Sequence, residues 1–202
     1  MSIEELPQTS LSLLQRATSN DPQAWNQIVH LYGPLVQRWC RGAGLNEADT
    51  ADVFQETYRA VAQNLGAFRP SQSIGSFRSW LRVIVRSKVV DHFRRLKRQP
   101  AGRGGTDAQL QMASMADPCE ALEEDSNDEA AADHALIVRR AMDLIRNEFT
   151  TQNWRAFEQV VMHGRTATDV ADELGVNPQV IRQANYRIRR RLRVLLQDLA
   201  DV

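Results

Sequence analysis

Between Thr166 and Arg193 the apolar positions fall into two short stripes of helical period separated by a glycine. Val170, Ala171 and Leu174 recur behind Thr166, whose hydroxyl can cap a first turn, and Asp169 sits three residues on, where a capping-box acid belongs. Gly175 supplies a stop and Val176 an apolar plug in the turn. Asn177-Pro178 then offers an N-cap followed by proline at the first helical position. Val180, Ile181, Ala184, Ile188 and Leu192 repeat every three or four residues, predicting one apolar stripe along a second helix. Its other faces carry Arg182, Gln183, Asn185, Tyr186, Arg187, Arg189, Arg190, Arg191 and Arg193, a run without an acid.

The same period marks out the rest of the chain. A short helix is predicted over Thr9 to Ala17 with Leu11 and Leu14 inward. Asp21-Pro22 opens another, with Trp25, Ile28, Val29 and Tyr32 facing a core; Gly33-Pro34 is a place for a kink before Leu35, Val36, Trp39 and Cys40. Asn46 caps a helix running to Leu65, with Val53, Thr57 or Tyr58, Val61 and Leu65 inward and Asp49, Asp52, Gln55, Glu56, Arg59 and Gln63 on the polar face. Phe68 to Phe77 reads as an ordered loop. A long helix then places Phe77, Leu81, Ile84, Val85, Val89 and Phe93 on one side, with Trp80 near its start. Arg78, Arg82, Arg86, Lys88, Arg94, Arg95, Lys97 and Arg98 take the remaining faces. From Gln99 to about Ala131 apolar periodicity lapses, leaving a linker that is flexible first and acidic later, with room for one helical turn over Gln109 to Met115. Order is expected to return near Ala132, with Ile137, Ala141, Leu144, Ile145 and Phe149 in one stripe and Trp154, Phe157, Val160 and Val161 in the next. The prediction is an all-α chain of two small helical domains, 1–98 and 132–202, joined by the linker 99–131.

Composition changes this picture in three ways. The 202 residues carry no net charge, but the charge is segregated. Eight Arg or Lys stand against one acid between Ser76 and Arg98, whereas eight acids and no base lie between Asp117 and Asp133. Cys40 and Cys119 belong to no CxxC, and His30, His92, His134 and His163 have no ligand-spaced partners, so neither a metal nor another cofactor is expected. No apolar run approaches the ~20 residues of a membrane helix, and MSIEEL is not a signal peptide, which predicts a cytoplasmic protein without a membrane partner.

Two short helices about a glycine turn, the second basic, read as a helix-turn-helix, whose second helix enters the major groove. Gln179, Arg182, Gln183 and Tyr186 are then candidates for base edges, and the later arginines for phosphates. The plainer reading is a solvated arginine face. An aromatic-bearing loop leading into a basic helix suits a single strand, with arginines for phosphates and rings for an unstacked base. Here the plainer reading makes Phe68, Phe77 and Trp80 core. A face of acids and amides such as Asp49, Asp52, Gln55 and Glu56 is either solvated or the seat of a basic partner.

Several short motifs fall in order: Tyr32-Gly-Pro-Leu-Val, Asp52-Val-Phe-Gln55-Glu56-Thr-Tyr58, and Gly75-Ser-Phe77-Arg-Ser-Trp80-Leu81 followed by Asp91, Arg94 and Arg95. Gly175-Val176 and Arg189-Arg-Arg-Leu192-Arg193 follow in the second half. Over nearly its whole length the chain resembles the extracytoplasmic-function group of bacterial sigma-70 factors, whose region 2 and region 4 domains are joined by a linker. The resemblance implies a non-enzymatic protein that binds core RNA polymerase and promoter DNA, with an anti-sigma factor as a further candidate partner and no small-molecule substrate. It implies that Asp49, Asp52, Gln55 and Glu56 dock on polymerase. It assigns Phe68, Ser73, Phe77, Trp80, Arg78, Arg82, Arg86, Lys88, Arg94 and Arg95 to the minus 10 element. Asn177, Gln179, Arg182, Gln183, Tyr186, Arg187 and Arg190 would serve the minus 35 element. Ser87 stands where the family often has Asn, and Ala184-Asn185 where it often has a basic residue and Leu.

Two other classes compete with this one. A stand-alone helix-turn-helix regulator would use the first half for dimerisation or an effector, and would bind a duplex, usually palindromic, without polymerase. A helical enzyme acting on nucleic acid would need clustered carboxylates or Cys/His ligands, and the sequence offers no such constellation.

Overall fold

In a computed structural model, residues 13–68, 77–98 and 127–196 are described, and every element among them is helical. Helices α1 (Leu13–Thr18), α2 (Pro22–Gly42), α3 (Glu47–Asn64) and α4 (Phe77–Arg98) come first, with a 3₁₀ turn at Leu65–Ala67. They are followed by α5 (Asn127–Ile145), α6 (Thr151–Val161), α7 (Ala167–Leu174) and α8 (Pro178–Leu196). The described residues separate into two compact units, one up to Ile137 and one from Val138 onward.

The first unit is built on α2. Asp21 caps it by accepting from the Gln23 and Ala24 amides, and Arg16 locks that carboxylate from α1 at 2.6 Å. Ile28, Leu31, Tyr32, Leu35, Val36 and Cys40 are fully buried. Against them pack Val53, Thr57 and Val61 of α3 and Phe77, Leu81, Val85 and Val89 of α4. Tyr32 and Phe77 meet edge to face with ring centroids 5.0 Å apart. Pro34 sits inside α2 without ending it, and the helix is continuous from Pro22 to Gly42. Trp25 and Val29 are only half-buried, and Ala24 and Leu31 take the inner positions instead. Thr57 rather than Tyr58 completes the α3 stripe, although burial still raises the Tyr58 phenol well above its usual range.

Order begins five residues before the expected Ala132. α5 starts at Asn127 with Asp128 and Glu129 in its first turn, where carboxylates meet the positive end of the helix dipole. Its residues up to Ile137 belong to the first unit and those from Val138 to the second. The rest of the expected linker, 99–126, lies outside the described residues, as do residues 9–12, Leu11 among them.

The second unit packs α6 and α7 on α8. Thr150 and Thr166 cap α6 and α7 through their hydroxyls. Gly175 ends α7 in the left-handed region (φ 64°), and the Val176 amide donates to the Ala171 carbonyl at 3.0 Å, closing the turn. Ala156, Val170, Ala171 and Ile181 form its core, with Val160, Leu174 and Val176 packed on it. Asn177 then caps α8 by accepting from the Gln179 amide at 2.8 Å.

Candidate functional site

On α3 the expected acid-and-amide face is at the surface. Asp52 and Gln55 are exposed, and Asp49 and Glu56 are half-buried. Together with Arg59 and with His92, Arg95 and Leu96 of α4 they line a cleft of about 440 Å³. Asp49 is held in place by the cap: its amide donates to Asn46 Oδ1 at 2.9 Å, and Asn46 Nδ2 donates back to its carboxylate at 2.8 Å. Arg95 forms a two-pronged pair with Glu56, and this hydrogen bonding holds the Glu56 carboxyl below the usual glutamate range. His92 is buried in the cleft wall with Nε2 3.5 Å from Asp49 Oδ1. In the sequence a lone histidine on a basic helix, without a ligand-spaced partner, gives no signal for such a place.

The α4 residues divide into groups that periodicity alone does not separate. Phe77 is fully buried, while Phe68 and Trp80 are half-buried, their rings tilted against each other with centroids 4.9 Å apart, so Phe77 belongs to the core and the other two are partly open. Arg86 and Lys88 are half-buried, and Arg94 and Arg95 are exposed. Ser73 lies outside the described residues.

Arg78 and Arg82 require a correction. They are buried, 3% and 7% exposed, instead of lying on an open phosphate-facing surface. Both guanidiniums stand over the Trp39 ring, 5.8 and 5.4 Å from its centroid, and both meet Asp133 of α5. The cause is a buried carboxylate one helix further on. In the sequence Asp133 is the last acid of the 117–133 run. Its spacing of four from both Glu129 and Ile137 is the signal that places all three on one helical face.

In the second unit Gln179, Arg182, Gln183, Tyr186, Arg187 and Arg190 are all exposed and lie on one side of α8, and Asn177 is exposed at its cap. Two positions of the expected stripe change places. Val180 is 48% exposed and Asn185 is 8% exposed. At about 100° per residue Asn185 falls at the Ile181 edge of the buried arc, whereas Val180 lies beyond its Ala184 edge. Arg191 is drawn away from the open face by a two-pronged pair with Glu148 at 2.6 and 2.8 Å. Among the described residues, no group of three His, Cys, Asp or Glu could hold a metal ion, and no helix is long and apolar enough to cross a membrane.

Residues 28–99 match the family Sigma-70 region 2. The ECF RNA polymerase sigma factor BldN of Streptomyces coelicolor is 24% identical over 188 residues, 93% of this chain and 66% of BldN, so the chain spans about two thirds of that relative. The RNA polymerase sigma factor CnrH of Cupriavidus metallidurans is 25% identical over 189 residues, 91% of this chain and 92% of CnrH. NccH of Alcaligenes xylosoxydans is 32% identical over 85 residues. A solved structure of CnrH in complex with the cytosolic domain of CnrY aligns over 92% of this chain and 95% of that one, with 22% identity and a TM-score of 0.36. The family match falls on the helices that carry the α3 cleft: residues 28–99 are a Sigma-70 region 2, and over more than nine tenths of its length the chain is similar to sigma factors, one of them of the extracytoplasmic-function type.

Proposed function

We propose that this chain is a dissociable initiation subunit, a sigma factor that docks on core RNA polymerase and directs it to particular promoters. The observation that carries this reading is the pairing of an exposed acid-and-amide cleft on α3 in one compact unit with an exposed Gln/Arg/Tyr face on α8 in the other. Asp49, Asp52, Gln55 and Glu56 would receive a basic surface of polymerase. Gln179, Arg182, Gln183 and Tyr186 would read the minus 35 duplex, with Arg187 and Arg190 on its phosphates and Asn177 at the helix cap. The Phe68–Trp80 edge, with Arg86, Lys88, Arg94 and Arg95 along α4, would meet the minus 10 strand as it melts.

Each grip on DNA is small and the chain as a whole is uncharged, so free protein should hold promoters weakly. Polymerase would raise the effective concentration of one grip once the other is engaged. The chain contributes binding, and the chemistry of synthesis stays with polymerase. In this reading it works in the cytoplasm. An anti-sigma factor is a further partner in this reading, since any protein covering the α3 cleft would exclude polymerase.

A gel shift on a minus 35/minus 10 promoter fragment with and without core enzyme tests the proposal. A shift that needs core supports it, whereas tight binding of the free chain to a palindromic duplex would instead identify a stand-alone regulator.

A further inference from the structure

Asp133 is completely buried, and among the described residues the groups that meet it are donors. Arg78 Nε and Nη2 donate to Oδ2 at 2.9 and 2.5 Å, and the Trp39 indole N–H donates to the same oxygen at 3.2 Å. Arg82 Nη1 stands 3.8 Å from it, and Arg38 meets the other oxygen, Oδ1. One turn earlier, Glu129 accepts from Arg82 at 3.3 Å. Three guanidiniums and an indole thus converge on one carboxylate supplied by a segment 55 residues beyond Arg78.

Guanidinium forks in register with an aromatic face are the donor set that fits a phosphodiester of a single strand. A phosphodiester and Asp133 each carry one negative charge, so either offsets one positive charge of the cluster and their exchange leaves its net charge unchanged. Burying the arginines with no anion at all would be strongly unfavourable, which makes the two occupants alternatives. Trp80, half-buried and with its ring centroid 4.9 Å from that of Phe68, lies within a turn of Arg78 and Arg82 on α4.

We infer that Arg38, Trp39, Arg78 and Arg82 form a phosphate site for single-stranded DNA which the chain's own Asp133, on the first turns of α5, occupies in the free protein. The first half of α5 is therefore an internal competitor of the melted strand. This inference rests on the proposal that α4 faces the minus 10 strand.

Fluorescence anisotropy of a labelled 20-nucleotide single strand, titrated with the full chain and without polymerase, tests it. Asp133→Asn should bind about fivefold or more tightly than wild type, the lower end of ordinary coupling between sites. If the three arginines released from Asp133 each take a phosphate, the log–log salt slope should also steepen by about 2. Adding Arg78→Gln to Asp133→Asn should abolish the gain. Hydrogen exchange on the wild-type chain requires no variant to fold: saturating oligonucleotide should speed exchange of the amides of 128–137. Unchanged affinity of Asp133→Asn with helicity intact, or slowed or unchanged exchange in 128–137 at saturation, overturns the inference. Neither readout involves polymerase, so failure here leaves a positive transcription assay untouched, and failure of transcription leaves this competition measurable.

Discussion

Glu56 of α3 and Arg95 of α4 hold each other through two parallel hydrogen bonds of 2.7 and 2.9 Å, so a residue assigned to polymerase is bound to one assigned to DNA. The pair lies at the surface, with Arg95 53% and Glu56 29% exposed in their side chains, and such solvent-screened pairs contribute little to folding. Glu56→Gln should therefore lower the thermal midpoint slightly at pH 7. The folded Glu56 carboxyl titrates below its ordinary 4.5, so its contribution is present above 4.5 and disappears as pH falls through the folded value. Wild type and Glu56→Gln should converge in acid. In a core-polymerase pull-down the same substitution, with Gln55→Ala, should weaken binding about tenfold or more, equivalent to about 1.4 kcal/mol or more. Equal binding with helicity unchanged would remove the α3 cleft from the interface.

Gly175 ends α7 at φ 64°, and a Cβ there would meet nothing within 4 Å. The cost of Gly175→Ala is therefore conformational, about 1–2 kcal/mol, readable by urea denaturation of the second unit. Gly175→Asn should cost less, because Asn tolerates this region. Equal losses for the two would point to packing instead.

Asn185 is buried in α8, and its Oδ1 has no hydrogen-bond partner among the described residues. An apolar side chain of similar size removes that unpaired acceptor, so Asn185→Leu should be neutral or stabilising by up to about 1 kcal/mol. A clear loss of stability would show that the side chain is paired in solution.

Residues on the open face of α8 should separate by role when duplex binding of the holoenzyme is measured across salt concentrations. Arg182→Ala should cost about 1–3 kcal/mol on the preferred minus 35 sequence and relax the choice of base there. Arg190→Ala should weaken all sequences alike and reduce the salt slope by about 0.9. The reverse pattern would place the helix differently in the groove.

Local chemistry made most of the fold legible. Asp21-Pro22, Asn46, Thr150, Thr166, Gly175 and Asn177-Pro178 mark helix ends by their own hydrogen bonds or backbone freedom, and the helices begin and end there or within a residue or two. The α3 polar face and the α8 open face follow from period alone. What period could not decide was the edge of a buried arc, which is why Val180 and Asn185 change places. It was equally blind to a contact between distant segments. Asp133 lies 94 residues from Trp39 and 55 from Arg78, and only the folded first unit brings them together. His92 became visible for the same reason, once α4 lay against α3.

Run-off transcription with purified core polymerase and promoter fragments from the source genome tests the central claim most directly. The account predicts defined transcripts that appear only when the chain is added and that are lost when Gln55 and Glu56 are both substituted. Core enzyme that starts no specific transcript with the chain present, on any such promoter, would contradict it.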